Sequence, residues 1–186
     1  TFTGTLVSDF YSAYNEADCP KQKCLTHLLR ELKEESEKDE SFAKDAWATK
    51  LKAWCKKAIE HKKKWKMLGD AKYELGASRL EDRLDELIRT EPSHAEAKRL
   101  GKRLVKHRPS LTRFLWDEAV EPTNNPAERA LRPMVVARKI SGGSRSAEAA
   151  EAWAKLSSIL ATQEQNGKNV LAETKKLLVD YWAGGR

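Results

Sequence analysis

The amino-acid sequence predicts a mainly helical fold with one or two short strands near its start. Three observations carry that prediction. Apolar residues recur at helical spacing through most of the chain. Only Thr5-Leu6-Val7-Ser8-Asp9, and more weakly Lys23-Cys24-Leu25, have the short β-branched or apolar character of a strand. Pro92, Pro109 and Pro122 fall between the helical blocks, where they break rather than interrupt them.

In chain order, Thr5–Asp9 is a buried strand ending on an acid, and Lys23–Leu25 runs into a helix from about Thr26. Trp47, Leu51, Trp54, Cys55, Ala58 and Ile59 mark one helix face, and Tyr73, Leu80, Leu84, Leu87 and Ile88 another; the two are expected to pack together. Leu111, Phe114 and Leu115 predict a shorter helix. Trp153, Leu156, Ile159 and Leu160 mark the next, and Leu171, Leu177, Leu178 and Tyr181 the last, with Gly142-Gly143 as a loop. Most of the tryptophans sit at helix-period positions, which assigns them to a core. A strand pair alone is marginal in water, so the lone strand leads us to expect companion strands upstream of Thr1.

Composition narrows the class. Hydrophobic residues make up 40% and charged residues 34%, enough apolar surface for a core and too much for a wholly disordered chain. Lysine and arginine outnumber acids 35 to 28, for a net charge of +7, which favours a polyanionic partner. The cysteines lack disulfide-scaffold spacing, and no signal peptide or membrane-length apolar run is present. A reducing cytoplasm is the expected compartment.

Three stretches carry chemistry. Asp9, at the end of the first strand, is placed either to ligate a hard cation such as Mg²⁺ or to cap the short helix that follows. In Pro122-Thr123-Asn124-Asn125-Pro126-Ala127-Glu128-Arg129-Ala130-Leu131-Arg132-Pro133, Asn125 fits an N-cap, Pro126 the first helical position and Glu128 a capping box. Capping leaves the density of Asn124, Asn125, Glu128, Arg129 and Arg132 unexplained. The stripe Arg129, Arg132, Arg138, Lys139 and Arg145 contains no acid and suits either phosphate contact or a solvated face. The run His61-Lys62-Lys63-Lys64-Trp65-Lys66 offers the same alternatives.

The segments GTLVSDFYSAYN, CLTHLLREL, PTNNPAERALRPMVVARKISGGSRS and KLSSILATQEQNG, in this order, resemble the DDE transposases of the insertion-sequence-66 family. The resemblance covers residues 3–35 and 108–180 and is faint between them. It implies an incomplete ribonuclease-H-like α/β core, represented by one or two strands, with a large all-helical insertion. Residues 1–30 would begin the core, 31–108 form the insertion, and 109–186 carry the helical C-terminal part of the core.

On that resemblance Asp9 matches the second acid and Glu128 the third, holding Mg²⁺ or Mn²⁺ for phosphodiester cleavage and strand transfer. The first Asp is expected upstream, so this stretch alone is expected not to cut DNA. Arg129, Arg132, Arg138, Lys139 and Arg145 would contact DNA, and Cys24, His27, Asn124 and Asn125 would organise the site. A zinc site recruiting Cys19 with Cys24 and His27 falls a ligand short. The implied partners are transposon-end and target DNA and, as a further expectation, a second copy of the chain, in a bacterial cytoplasm at the nucleoid. A second reading is a metal-free helical DNA- or protein-binding remnant of a decayed transposase.

Overall fold

Leu6–Ser8 forms strand β1 and Lys21–Lys23 strand β2, paired in parallel with Leu6 opposite Lys21 and Ser8 opposite Lys23. The computed structural model describes residues 3–184, and within them the chain is mainly helical. Strand β2 lies two residues earlier than its apolar signal suggests. Cys24 leaves the ladder, giving its N–H to the Ser8 carbonyl at 2.7 Å, and Leu25 already opens a helix. The triplet Lys21-Gln22-Lys23 has no apolar pattern, yet Gln22 and Lys23 are fully buried.

Helix α1 (Leu25–Lys38) buries Leu25, Leu28 and Leu32, one stripe at helical spacing. It stops at Asp39, whose carboxylate accepts the Ser41 N–H and so caps the single turn α2 (Glu40–Ala43). Helix α3 (Ala46–Lys63) is capped by Asp45 through the Ala48 N–H at 2.9 Å. Helix α4 (Asp70–Arg89) lies antiparallel to it, since the Trp47 indole donates to Leu87 O and the Trp54 indole to Leu80 O, at 2.9 and 2.8 Å. The two expected faces do pack: Trp47, Leu51, Trp54 and Ala58 are buried against Tyr73, Leu80, Leu84 and Leu87. Helix α5 (Ala95–His107) adds Ala97, Leu100 and Leu104 to the same core. No strand occurs among the described residues from 31 to 108.

Leu111, Phe114 and Leu115 are fully buried, but not on the helix the spacing predicts. Phe114 and Leu115 lie in the 3-10 turn Arg113–Leu115, and Leu111 directly follows the 3-10 turn Arg108–Ser110 as its C-cap. Pro109 lacks the N–H that would propagate a longer α-helix, so the chain turns tightly and packs its apolar residues without one.

The chain divides into two compact units between Asn124 and Asn125. The second comprises α6 (Asn125–Ile140), α7 (Ala147–Gln165) and α8 (Val170–Gly184). Pro133 sits inside α6, leaving the Arg129 carbonyl without its helical donor. Gly167, at φ 68°, takes the left-handed geometry that lets the Lys168 N–H return to Gln163 O and close α7. Apolar burial is sparse here, with Leu131, Val135, Trp153, Ile159 and Trp182 all exposed. Trp47 and Trp54 are core residues as expected, whereas Trp116, Trp153 and Trp182 are not.

Candidate active site

The register Ser8 opposite Lys23 makes Asp9 and Cys24 leave the sheet side by side at its C-terminal edge. In parallel sheets that edge is where ligands are received. Asp9 is half-buried, and its Oδ1 accepts the Tyr11 N–H at 2.9 Å. The capping role expected for it therefore serves the turn before the 3-10 helix Ser12–Asn15, not that helix itself, which has no side-chain cap. The same carboxylate borders an open depression of about 400 Å³, shared with Tyr11, His27, Arg30, Glu34 and Arg103.

Lys23 lies behind this edge, fully buried, and sequence reasoning missed it. Its ammonium donates to the Asp9 carbonyl at 2.8 Å and to Ser8 Oγ at 3.3 Å. Burial pulls its pKa below the ordinary lysine value, and the nearby Asp9 charge opposes that pull. Glu31, also in the depression, is gripped by Arg99 and Arg103. Burial pushes its carboxyl up, but the two guanidinium hydrogen bonds outweigh burial and hold it below the usual carboxylate range.

Cys24 is buried, and its Sγ accepts the Asn124 N–H at 3.3 Å, while the Leu25 N–H bonds Pro122 O at 2.9 Å. The start of the Asn-Asn segment is thus bonded to the same strand end as Asp9. His27, two residues into α1, is half-buried and faces the depression.

Asp9, Cys24, His27 and Asn124 belong to the first unit; Asn125, Glu128 and the basic stripe belong to the second. The helix α6 begins on Asn125 itself, so Pro126 is its second residue. Glu128 is exposed in its first turn, where a carboxylate complements the helix dipole. Arg129, Arg132, Arg138 and Lys139 are exposed on α6 and Arg145 follows it; none enters an ion pair among the described residues. Arg138 and Arg145 border a depression of about 700 Å³ within this unit, together with Leu131, Val135 and Trp153.

In the run His61–Lys66, Lys62 is buried and His61 half-buried, while Lys63, Lys64 and Lys66 form an exposed basic face. Lys62 donates to Asp117 O and Glu118 O and lies over the Trp65 ring. Lys63 pairs with Glu60, Lys66 with Glu118, and His61 stacks on Tyr73.

Against known families, the model described as Transposase IS66 family matches residues 1–152, a span that holds both Asp9 and Glu128. The chain belongs to the IS66 transposase family. No curated protein and no solved structure matches it. Membership ties this IS66-family chain to DNA transposition and to a nuclease or strand-transferase parent activity.

DDE transposases use divalent metals, and the carboxylates of Asp9 and Glu128 are hard oxygen donors of the kind Mg²⁺ or Mn²⁺ takes. Among the described residues no cluster of three or more His, Cys, Asp or Glu side chains is placed to hold an ion. No helix among them is long and apolar enough to cross a membrane.

Proposed function

We propose that the chain provides the second Asp and the Glu of a DDE transposase active site, Asp9 and Glu128, acting on transposon-end and target DNA. In this reading residues 31–108 are a helical insertion between the two halves of a ribonuclease-H-like core, and the first acid precedes Thr1. One observation carries it most. An acid at the C-terminal edge of a parallel strand pair opens onto a depression, and the Asn-Asn segment that leads to Glu128 is bonded to that same edge.

When bound, Mg²⁺ or Mn²⁺ would activate water or a 3′-hydroxyl and stabilise the oxygen that leaves phosphorus. The chain's own residues would do the rest. Asp9 and Glu128 hold the ions, with one carboxylate oxygen of Asp9 fixed by the Tyr11 N–H. Arg129, Arg132, Arg138, Lys139 and Arg145 hold phosphates and offset charge in the transition state. Cys24 and Asn124 join the two motifs, and His27 shapes the floor beside Asp9.

The test is nicking of a transposon-end duplex by a transposase that includes the upstream strands. Asp9→Asn and Glu128→Gln each keep size and hydrogen-bonding capacity but remove the charge the ions need. Each should abolish Mg²⁺-dependent nicking and leave helix content and melting nearly unchanged. If both residues serve only as caps, nicking survives and stability falls by about 1 kcal/mol at most. That pattern would refute the assignment.

A further inference from the structure

A lysine with no exposed surface needs an explanation, because a buried ammonium loses its hydration and is rarely retained unless its donors are used. Lys23 is such a residue, and among the described residues no carboxylate bonds to it. Its donors go to the carbonyl of Asp9 at 2.8 Å and to Ser8 Oγ at 3.3 Å, and Ser8 Oγ in turn donates to that same carbonyl at 3.0 Å. The ammonium also faces the Phe10 ring, 6.0 Å from its centre, and Arg103 covers the same ring at 5.0 Å. Every one of these contacts falls on residues 8–10, the point where β1 ends and the chain turns outward.

Asp9 is consequently fixed at both ends. Its carbonyl is bonded by Lys23 and Ser8, its carboxylate is bonded by the Tyr11 N–H, and the residue borders the open depression. We infer that Lys23 is the positioning residue for Asp9: by binding the Asp9 carbonyl from the neighbouring strand, it sets the direction in which the carboxylate meets a divalent cation. The inference rests on the proposed role of Asp9 as a metal ligand.

Mg²⁺ requires near-ideal octahedral geometry, so it reports small displacements of a ligand. Losing an outer contact that orients a ligand typically costs 10- to 100-fold in metal affinity or activity. The experiment titrates nicking by the complete transposase with Mg²⁺ and, separately, with Mn²⁺. It compares Lys23→Met with Lys62→Met, since Lys62 is likewise buried and donates to two main-chain carbonyls, but far along the chain at Asp117 and Glu118.

The expected result is a rise of about 10- to 100-fold in the Mg²⁺ concentration for half-maximal nicking in Lys23→Met. Mn²⁺ should restore more of the activity than Mg²⁺, and Lys62→Met should leave the Mg²⁺ midpoint where it was. If Lys23→Met does not accumulate as folded protein, Lys23→Gln, with a donor on a shorter side chain, enters the same titration. An unchanged midpoint, or equal losses with both metals that track melting as in Lys62→Met, would overturn the inference. Asp9→Asn separates this failure from that of the underlying reading: if it still nicks, Asp9 is not a ligand at all.

Discussion

Gly76, inside α4, has no room for a methyl group. A Cβ there would fall 2.3 Å from Cε1 of His61, a ring stacked on Tyr73 at 4.3 Å and bonded through Nε2 to Tyr73 O at 2.9 Å. Alanine gains about 1 kcal/mol of helix propensity over glycine. Expelling the ring forfeits an aromatic pair of about 0.5–1.5 kcal/mol and a hydrogen bond of similar size. The loss wins, so Gly76→Ala should destabilise by about 1 kcal/mol in denaturant melts. In a His61→Ala background the same change should instead stabilise, because nothing is left to expel. Legibility at this scale was uneven. Asp9 could be singled out because a β-branched run ending in an acid is a local pattern. Lys23 and Lys62 could not, because lysine ordinarily marks surface and their acceptors lie on other elements. Lys62 looked like part of the exposed basic run around it, because its carbonyl acceptors lie 55 and 56 residues away.

Between elements, the seam of α3 and α4 is held by apolar packing and by two indole donors into main-chain carbonyls. Leu84 is wholly buried in that seam, and Leu84→Ala should cost about 2–5 kcal/mol, read as a lower denaturant midpoint. Asp45 links α3 to the start of α5: it caps α3 through the Ala48 N–H and accepts from Ser93 Oγ and the His94 N–H ahead of α5. Asp45→Ala should therefore exceed the roughly 1 kcal/mol of a simple cap, since it also strands two donors. Both seam faces were readable in the sequence because helical periodicity survives without knowledge of neighbours. The 3-10 turns around Pro109 were not, since buried Leu111, Phe114 and Leu115 imitate helical spacing over so short a span. Strand β2 was misplaced because its polar residues are buried beneath the 3-10 turns Arg108–Ser110 and Arg113–Leu115, which are remote in sequence.

Across the whole molecule, charge governs two expected behaviours. The chain should bind duplex DNA weakly and without sequence preference, losing affinity as salt rises. Replacing Arg132 and Lys139 by alanine should flatten the plot of log affinity against log salt by about 0.9 for each phosphate contact removed. An unchanged slope would remove the stripe from the DNA surface. The second behaviour is acid sensitivity. Hydrogen bonds from Ser41, then from His94, hold Asp39 down at about 2, and the Arg108 hydrogen bond holds Asp85 below its ordinary value. Arg103 and Arg99 do the same for Glu31. Carboxyls depressed in the folded state add stability that is complete above their unfolded pKa values, roughly 4, and is lost as pH falls toward the folded ones. The melting temperature should drop between about pH 4 and 2, less steeply in Glu31→Gln and Asp85→Asn. The family could be read from the Asn-Asn block and the strand-end motif, because both are local patterns of residues. The division of the chain between Asn124 and Asn125 could not, because it depends on how helices cluster in space.

The buried amide of Gln22 has a temporal consequence. Its oxygen accepts the Phe114 N–H at 3.1 Å, and the neighbouring Cys24 takes the N–H of Asn124, contacts that join positions 92 and 100 residues apart. During synthesis at about 5–20 residues per second, β2 emerges several seconds before either donor exists. Helices α1 to α5, all complete by His107, have that interval to form first. The strand end bearing Asp9 is then closed last, by the return of residues 111–124. A protein that matures in this order keeps its acid-bearing edge unfinished until the helical body is in place, and pulse-labelled hydrogen exchange should find the Phe114 and Asn124 amides protected after those of α3 and α4.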